Sequence, residues 1–240
     1  MSVHPAARSA PLRVGDALLR QHDPTTCGST ALLALAALGD PVLARWLEDG
    51  TLPDRTIADL PPEIPPRALT AARAAERIRA AQHHIKRRTD ARALGPFPWP
   101  PWWGTPPWTA AREARFPGVR FVHRPVDDRG EAGRAMLGSV MGALRRGFPV
   151  LLFTGGDLGT GITTAVPRHV VLALPESARP WGLAPPERGL LRIFEPSFGR
   201  VHEIEPAGLV DRTAPSLALG GWAHVQWLVL PSPTPHALPS

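Results

Sequence analysis

Between Cys27 and Leu38 the chain reads CGSTALLALAAL, and residues 31 to 38 are apolar on every side of a 3.6-residue turn. A helix of this kind has no face to offer to water and belongs in the middle of a domain. Thr25 or Thr26 stands where an N-cap is wanted, Gly39 where the helix should end, and Pro41 just beyond it. Further helices are expected near residues 67–88, where Ala and Arg dominate, and near 109–116 and 131–146. Later in the chain the pattern changes to short apolar runs of strand length, rich in β-branched and aromatic residues. After GVRFVHR come FPVLLFT (148–154), RHVVLAL (168–174), GLLRIFE (189–195), GRVHEI (199–204) and GWAHVQWLVL (221–230). A helical first half followed by a strand-rich second half predicts an α+β fold.

Two interruptions qualify this picture. The segment LPDRTIADLPPEIPPR is rich in proline, and GPFPWPPWWGTPPW (95–108) carries four of the eight tryptophans. Linkers do not normally hold four tryptophans, so this loop is expected to pack on the domain. Trp102, Trp103 and Trp108 are candidates for a substrate-facing wall, with capping of the core as the competing role. GGDLGTG (155–161) lacks the lysine and hydroxyl of a phosphate-binding loop and reads as a hairpin connection.

Length and composition then set the scale. The 240 residues, 43% hydrophobic and 20% charged, suit one domain spanning 1–240, with a core over about 12–231 and tails at 1–11 and 232–240. No run approaches the roughly 20 apolar residues of a membrane helix, and the N-terminus lacks a signal-type apolar core, so a cytoplasmic protein without a membrane segment is expected. The formal charge is +6, carried almost wholly by arginine, with Lys86 the single lysine. The basic run from Arg73 to Arg92 has no interleaved aromatics and reads as a solvated helix face, not as a nucleic-acid surface.

Cys27 is the only cysteine, which excludes an internal disulfide and the paired thiolates of a structural zinc site. Burial or reactivity remains. At a helix N-terminus, unpaired N–H groups and the dipole favour negative charge on sulfur. Gln21, six residues upstream, carries an amide NH2 able to share an oxyanion with the Cys27 N–H. Of nine histidines, His169 stands out because it opens an almost wholly apolar strand. The strand LLRIFE ends in Glu195, which Pro196 holds extended; beside the His169 strand, that carboxylate would orient the imidazole. His224 is a poorer base candidate, since no acidic residue follows it, although a partner earlier in the chain is possible. No closely spaced set of metal ligands stands out, and no cofactor is expected.

The order Gln21, Cys27, His169, Glu195, set in QHDPTTCGSTALL, RHVVLAL and IFEPSFG, resembles the papain-like cysteine peptidases, and among them the bacteriocin-processing, double-glycine leader peptidase group. The resemblance spans residues 21 to 199 as scattered blocks. It implies a papain-like fold in which a buried nucleophile helix packs on a C-terminal antiparallel sheet. It also implies Cys27 as nucleophile, His169 as general base and acid, Glu195 as orienter and Gln21 as oxyanion donor, acting on a peptide or protein substrate. Glu195 departs from the aspartate usual in that family, and a freestanding relative without the transporter domains of fused members is expected. The same residues would serve an acyltransferase or amidase, and a domain that had lost turnover would bind peptides or a partner.

Overall fold

The computed structural model describes residues 8–54, 56–156, 167–184 and 187–233. Among them lie five α-helices: α1 (Cys27–Gly39), α2 (Pro41–Asp49), α3 (Ala74–Asp90), α4 (Pro107–Glu113) and α5 (Gly130–Arg145). The strands are β1 (Arg8–Pro11), β2 (Arg13–Val14), β3 (Ala17–Leu18), β4 (Val119–Pro125), β5 (Val150–Gly155), β6 (His169–Leu174), β7 (Leu191–Glu195), β8 (Arg200–Ile204) and β9 (His224–Pro233). Seven strands form one antiparallel sheet in the order β1-β8-β7-β6-β5-β9-β4, and β2 pairs with β3 as a separate ribbon. The mixed α+β class expected from the helix-then-strand order is therefore observed.

The central strands are apolar without alternation because both faces of the sheet are covered. Leu151 and Phe153 of β5 and Val170 and Leu172 of β6 join a core with the buried residues of α1 to α4. Their neighbours Val150, Leu152, Val171 and Ala173 join a second core with Met136, Val140 and Leu144 of α5. Helix α1 is the buried middle of the first core, as its all-round apolar surface requires.

Four features depart from the sequence reading. Helix α1 ends at Gly39 with Pro41 just beyond, as read, but Pro41 also starts an unexpected helix: it occupies the first turn of α2, where a missing N–H costs nothing, and Asp40 caps that turn by accepting from Val42 N (2.9 Å) and Leu43 N (3.1 Å). Helix α3 begins at Ala74 instead of 67, after a short turn over Pro66–Ala68. Strand structure lies beyond 12–231 at both ends, because Arg8–Pro11 adds an edge strand against β8 and β9 continues to Pro233. Finally, the basic run is not a uniformly solvated face. Arg77 is buried and donates to the carbonyls of Leu47, Glu48, Ala71 and Ala72, while buried Lys86 pairs with Asp90 at 2.7 Å. Most of GGDLGTG, from residue 157 on, lies outside the described residues.

No single helix among the described residues is long and apolar enough to cross a membrane.

Candidate active site

Cys27 is the first residue of α1, and the loop before it is tied down by local bonds. The Thr26 hydroxyl accepts from His22 N (3.1 Å) and Asp23 N (3.0 Å) and donates to the Asp23 carbonyl (2.9 Å). Thr26 thus occupies the N-cap position without making a side-chain cap, contrary to the cap expected of it. The consequence is chemical: the first N–H groups of α1 are not consumed by a capping oxygen, and that of Gly28 is available to the Cys27 sulfur.

His169 opens β6, and its Nε2 stands 2.7 Å from Glu195 Oε1 at the end of β7. The two strands are neighbours in the sheet, Leu172 facing Phe194 and Leu174 facing Arg192, so the register brings these two ends together. Glu195 is fully buried, and its carboxylate also accepts from Ser197 N (2.7 Å) and Phe198 N (2.9 Å) in the turn that follows. Burial pushes Glu195 up, but these three donors outweigh it and hold the carboxyl below its ordinary value.

With Nε2 on Glu195, Nδ1 is the ring nitrogen left for Cys27. Burial works against the charge on His169, but hydrogen bonding and opposite charge from Cys27 and Glu195 prevail and raise it to about 9. Burial likewise pushes the Cys27 thiol up, and His169, Val170 N–H and Gly28 N–H reverse the effect, leaving it below its ordinary value. The thiol and the imidazole titrate as a coupled pair whose favoured form is thiolate and imidazolium.

Gln21 lies beside the acidic turn. Its backbone N–H donates to the Pro196 carbonyl (2.8 Å), its side-chain oxygen accepts from Ser197 Oγ (3.1 Å), and its amide nitrogen donates to the Asp23 carbonyl (3.0 Å). One of its two amide hydrogens is therefore engaged and the other is the one an oxyanion would use. Ser197, which no sequence signal singled out, links Glu195 to Gln21 through its N–H and its hydroxyl.

The tryptophan loop ends against the same helix terminus. Buried Thr105 packs on Gly28 so closely that a Cβ at position 28 would stand 2.6 Å from the Thr105 Cβ and Oγ1. Upstream of that anchor, Trp102 is 72% and Trp103 51% exposed, and Trp103 meets Trp99 edge to face. Trp108 differs from them in being half-buried and in donating from Nε1 to the Ala93 carbonyl (2.7 Å), and it meets Trp99 on a further edge-to-face contact. Its surface is spent on packing.

A second histidine–carboxylate pair lies at the same end of the sheet, across β5: Thr154 faces His169 on one side, and Gly155 faces His224 on the other. His224 Nδ1 is 3.0 Å from Asp128 Oδ1, so the acidic partner does come from earlier in the chain.

Compared with protein-family models the chain matches none, and no curated protein matches its sequence.

Proposed function

We propose that this chain is a thiol hydrolase that cleaves peptide bonds, built as a papain-like arrangement of a nucleophile helix on an antiparallel sheet and working in the cytoplasm. The observation that carries this reading is the His169 ring, held at 2.7 Å by buried Glu195 through one nitrogen and turned with the other toward the thiol that opens α1. A buried imidazolium is costly unless it is paired on both sides, and here both partners are acids. The Cys27 thiolate attacks the scissile carbonyl carbon, forming the C–S bond as the carbonyl π electrons move to oxygen. The N–H of Cys27 and the free Gln21 amide hydrogen meet that oxyanion. Collapse of the tetrahedral adduct expels the amine, which takes its proton from His169 Nδ1 and leaves a thioester on Cys27. Neutral His169 then accepts a proton from water as the water attacks the thioester, and the acid product leaves as thiolate and imidazolium are restored. Exposed Trp102 and Trp103 offer apolar side chains of the substrate a surface, with Thr105 fixing them relative to Cys27.

Iodoacetamide labelling of the folded protein, followed across pH, tests the nucleophile. Cys27 is expected to label well below pH 8.5, and His169→Ala to slow that labelling at least tenfold. On a peptide library, cleavage by wild type and none by Cys27→Ala is expected, with added amines reporting whether the acyl group passes to acceptors other than water. A thiol that labels only once the chain is unfolded sinks the proposal.

A further inference from the structure

The His169 ring is held from a direction that no acid supplies. Gly220 follows the short turn Leu217–Leu219 and has φ +70°, a conformation that a side chain resists. A Cβ built there would stand 2.6 Å from His169 Nε2 and 2.9 Å from Cγ, and closer still to Cδ2. The glycine backbone therefore rests on the imidazole itself. Its own position is fixed: Thr154 Oγ1 donates to the Leu219 carbonyl (3.0 Å), Gly220 N to Leu217 (3.1 Å) and Gly221 N to Ser216 (2.8 Å). Thr154 is also the residue that faces His169 across β5 and β6. One threonine thus anchors the strap and stands beside the ring that the strap touches.

Resting on the thiol-hydrolase reading for its catalytic meaning, the geometry points to Gly220 as a positioning residue: a side-chain-free seat that holds the His169 ring in the orientation giving Nε2 to Glu195 and Nδ1 to Cys27. A methyl at this position must move the ring, because its close neighbours are ring atoms whose strand is fixed in the sheet. Rotation of the imidazole away from Gly220 lengthens the bond to Glu195 and turns Nδ1 from the sulfur together, since the ring is rigid.

The adjacent residue provides the control. Gly221 also has positive φ, at +84°, but an added Cβ there meets nothing within 4 Å. Gly221→Ala therefore incurs backbone strain alone, whereas Gly220→Ala adds the collision with the ring. Both variants are to be compared by iodoacetamide labelling across pH and by the His169 ring proton shift titrated by NMR. Gly220→Ala is expected to lose at least tenfold in labelling rate at pH 6 and to show a lowered ring titration midpoint. Gly221→Ala should keep both profiles within about twofold of wild type.

A folded Gly220→Ala whose two profiles match those of Gly221→Ala overturns the inference. Should Gly220→Ala fail to fold, Thr154→Val, which removes only the hydroxyl anchoring Leu219, carries the test with an expected threefold fall, and an unchanged profile overturns it. The NMR readout separates this inference from the reading beneath it. A wild type inert to iodoacetamide, with a ring midpoint lowered by Gly220→Ala and not by Gly221→Ala, would remove the hydrolase and keep the seat.

Discussion

Two buried histidines sit at one end of the same sheet, each hydrogen-bonded to a carboxylate, and they differ in what meets the other ring nitrogen. At His169 that neighbour is the Cys27 thiol; at His224 it is the Arg129 guanidinium, 3.0 Å from Nε2. A guanidinium only donates, so His224 Nε2 is the acceptor there and Nδ1 is the nitrogen that faces Asp128. Asp128 in turn accepts from Val225 N–H (2.9 Å) with its second oxygen. His169 instead has acids on both sides, which favours a ring carrying two protons, one of them directed at the Cys27 sulfur. The pairing of His with carboxylate therefore does not make a candidate active site; the charge on the far side of the ring does.

Removing each carboxylate's charge separates the two histidines most directly. Glu195→Gln is expected to lower turnover by about 10²- to 10³-fold, since it takes away the charge that favours the imidazolium while keeping an acceptor in place. Asp128→Asn should leave turnover within about twofold. Its cost appears as stability, about 1–3 kcal/mol, because one Asp128 oxygen becomes an NH2 facing a donor. Steady-state assay beside urea denaturation checks both, and an Asp128→Asn protein as impaired in turnover as Glu195→Gln would erase the distinction.

The dependence of stability on pH is the next effect in size. The contribution of His169 is present in full below its ordinary 6.5 and is lost as pH rises through about 9. Cys27 runs the other way: its contribution is present in full above its ordinary 9.0 and is lost as pH falls through its lowered value. Glu195 adds stability above its ordinary 4.5 that is lost as pH falls through its own lowered value. Between pH 7 and 9 the gain at Cys27 offsets the loss at His169, because a proton moves within the pair and none is exchanged with solvent. Wild type should therefore be nearly flat over that range. Cys27→Ala should decline across it only as far as Glu195 alone keeps His169 raised, since the substitution removes the first raising partner together with the offset. Asp128→Asn is expected to keep the flat profile. Denaturation midpoints at the two pH values measure all three, and a wild type that loses stability steeply from pH 7 to 9 would show that Cys27 does not offset His169.

Why one histidine was legible in the sequence and the other was not follows from where their partners lie. His169 and Glu195 each end an apolar strand, and two such strands close in sequence pair in the sheet, so their ends could be matched by reading alone. Asp128 lies 96 positions before His224, on the approach to α5, where VDDRGE shows only a charged loop. The strand segments themselves were readable because coverage of both faces writes an uninterrupted apolar run. Helix α2 was hidden because Pro41 means a stop when read from α1 and a start when read from Asp40. Edge strand β1 has no apolar period at all, since its pattern is set by a single neighbour. The Gly220 contact with His169 and the Thr105 contact with Gly28 leave no local trace, being made by backbone and a small side chain far along the chain.

The two carboxylates differ least visibly in what they reach beyond their histidines. The His169 pair is wired to Gln21 through Ser197, whereas the Asp128 carboxylate gives its remaining contact to the backbone of β9. If Gln21 serves the oxyanion, freeing its side-chain oxygen from Ser197 should loosen the amide that faces the developing charge. Ser197→Ala removes one neutral hydrogen bond, worth about 1 kcal/mol, and keeps the N–H that Glu195 accepts, so the His169 pair is untouched. The expected result is a three- to tenfold fall in kcat with KM unchanged, because the interaction strengthens only as the oxyanion forms. Ser197→Thr, which restores a hydroxyl at the same position, should recover most of the loss. A purely structural role predicts instead that Ala and Thr differ in melting temperature while sharing one kcat, and that outcome would detach Gln21 from the chemistry while leaving Cys27, His169 and Glu195 in place.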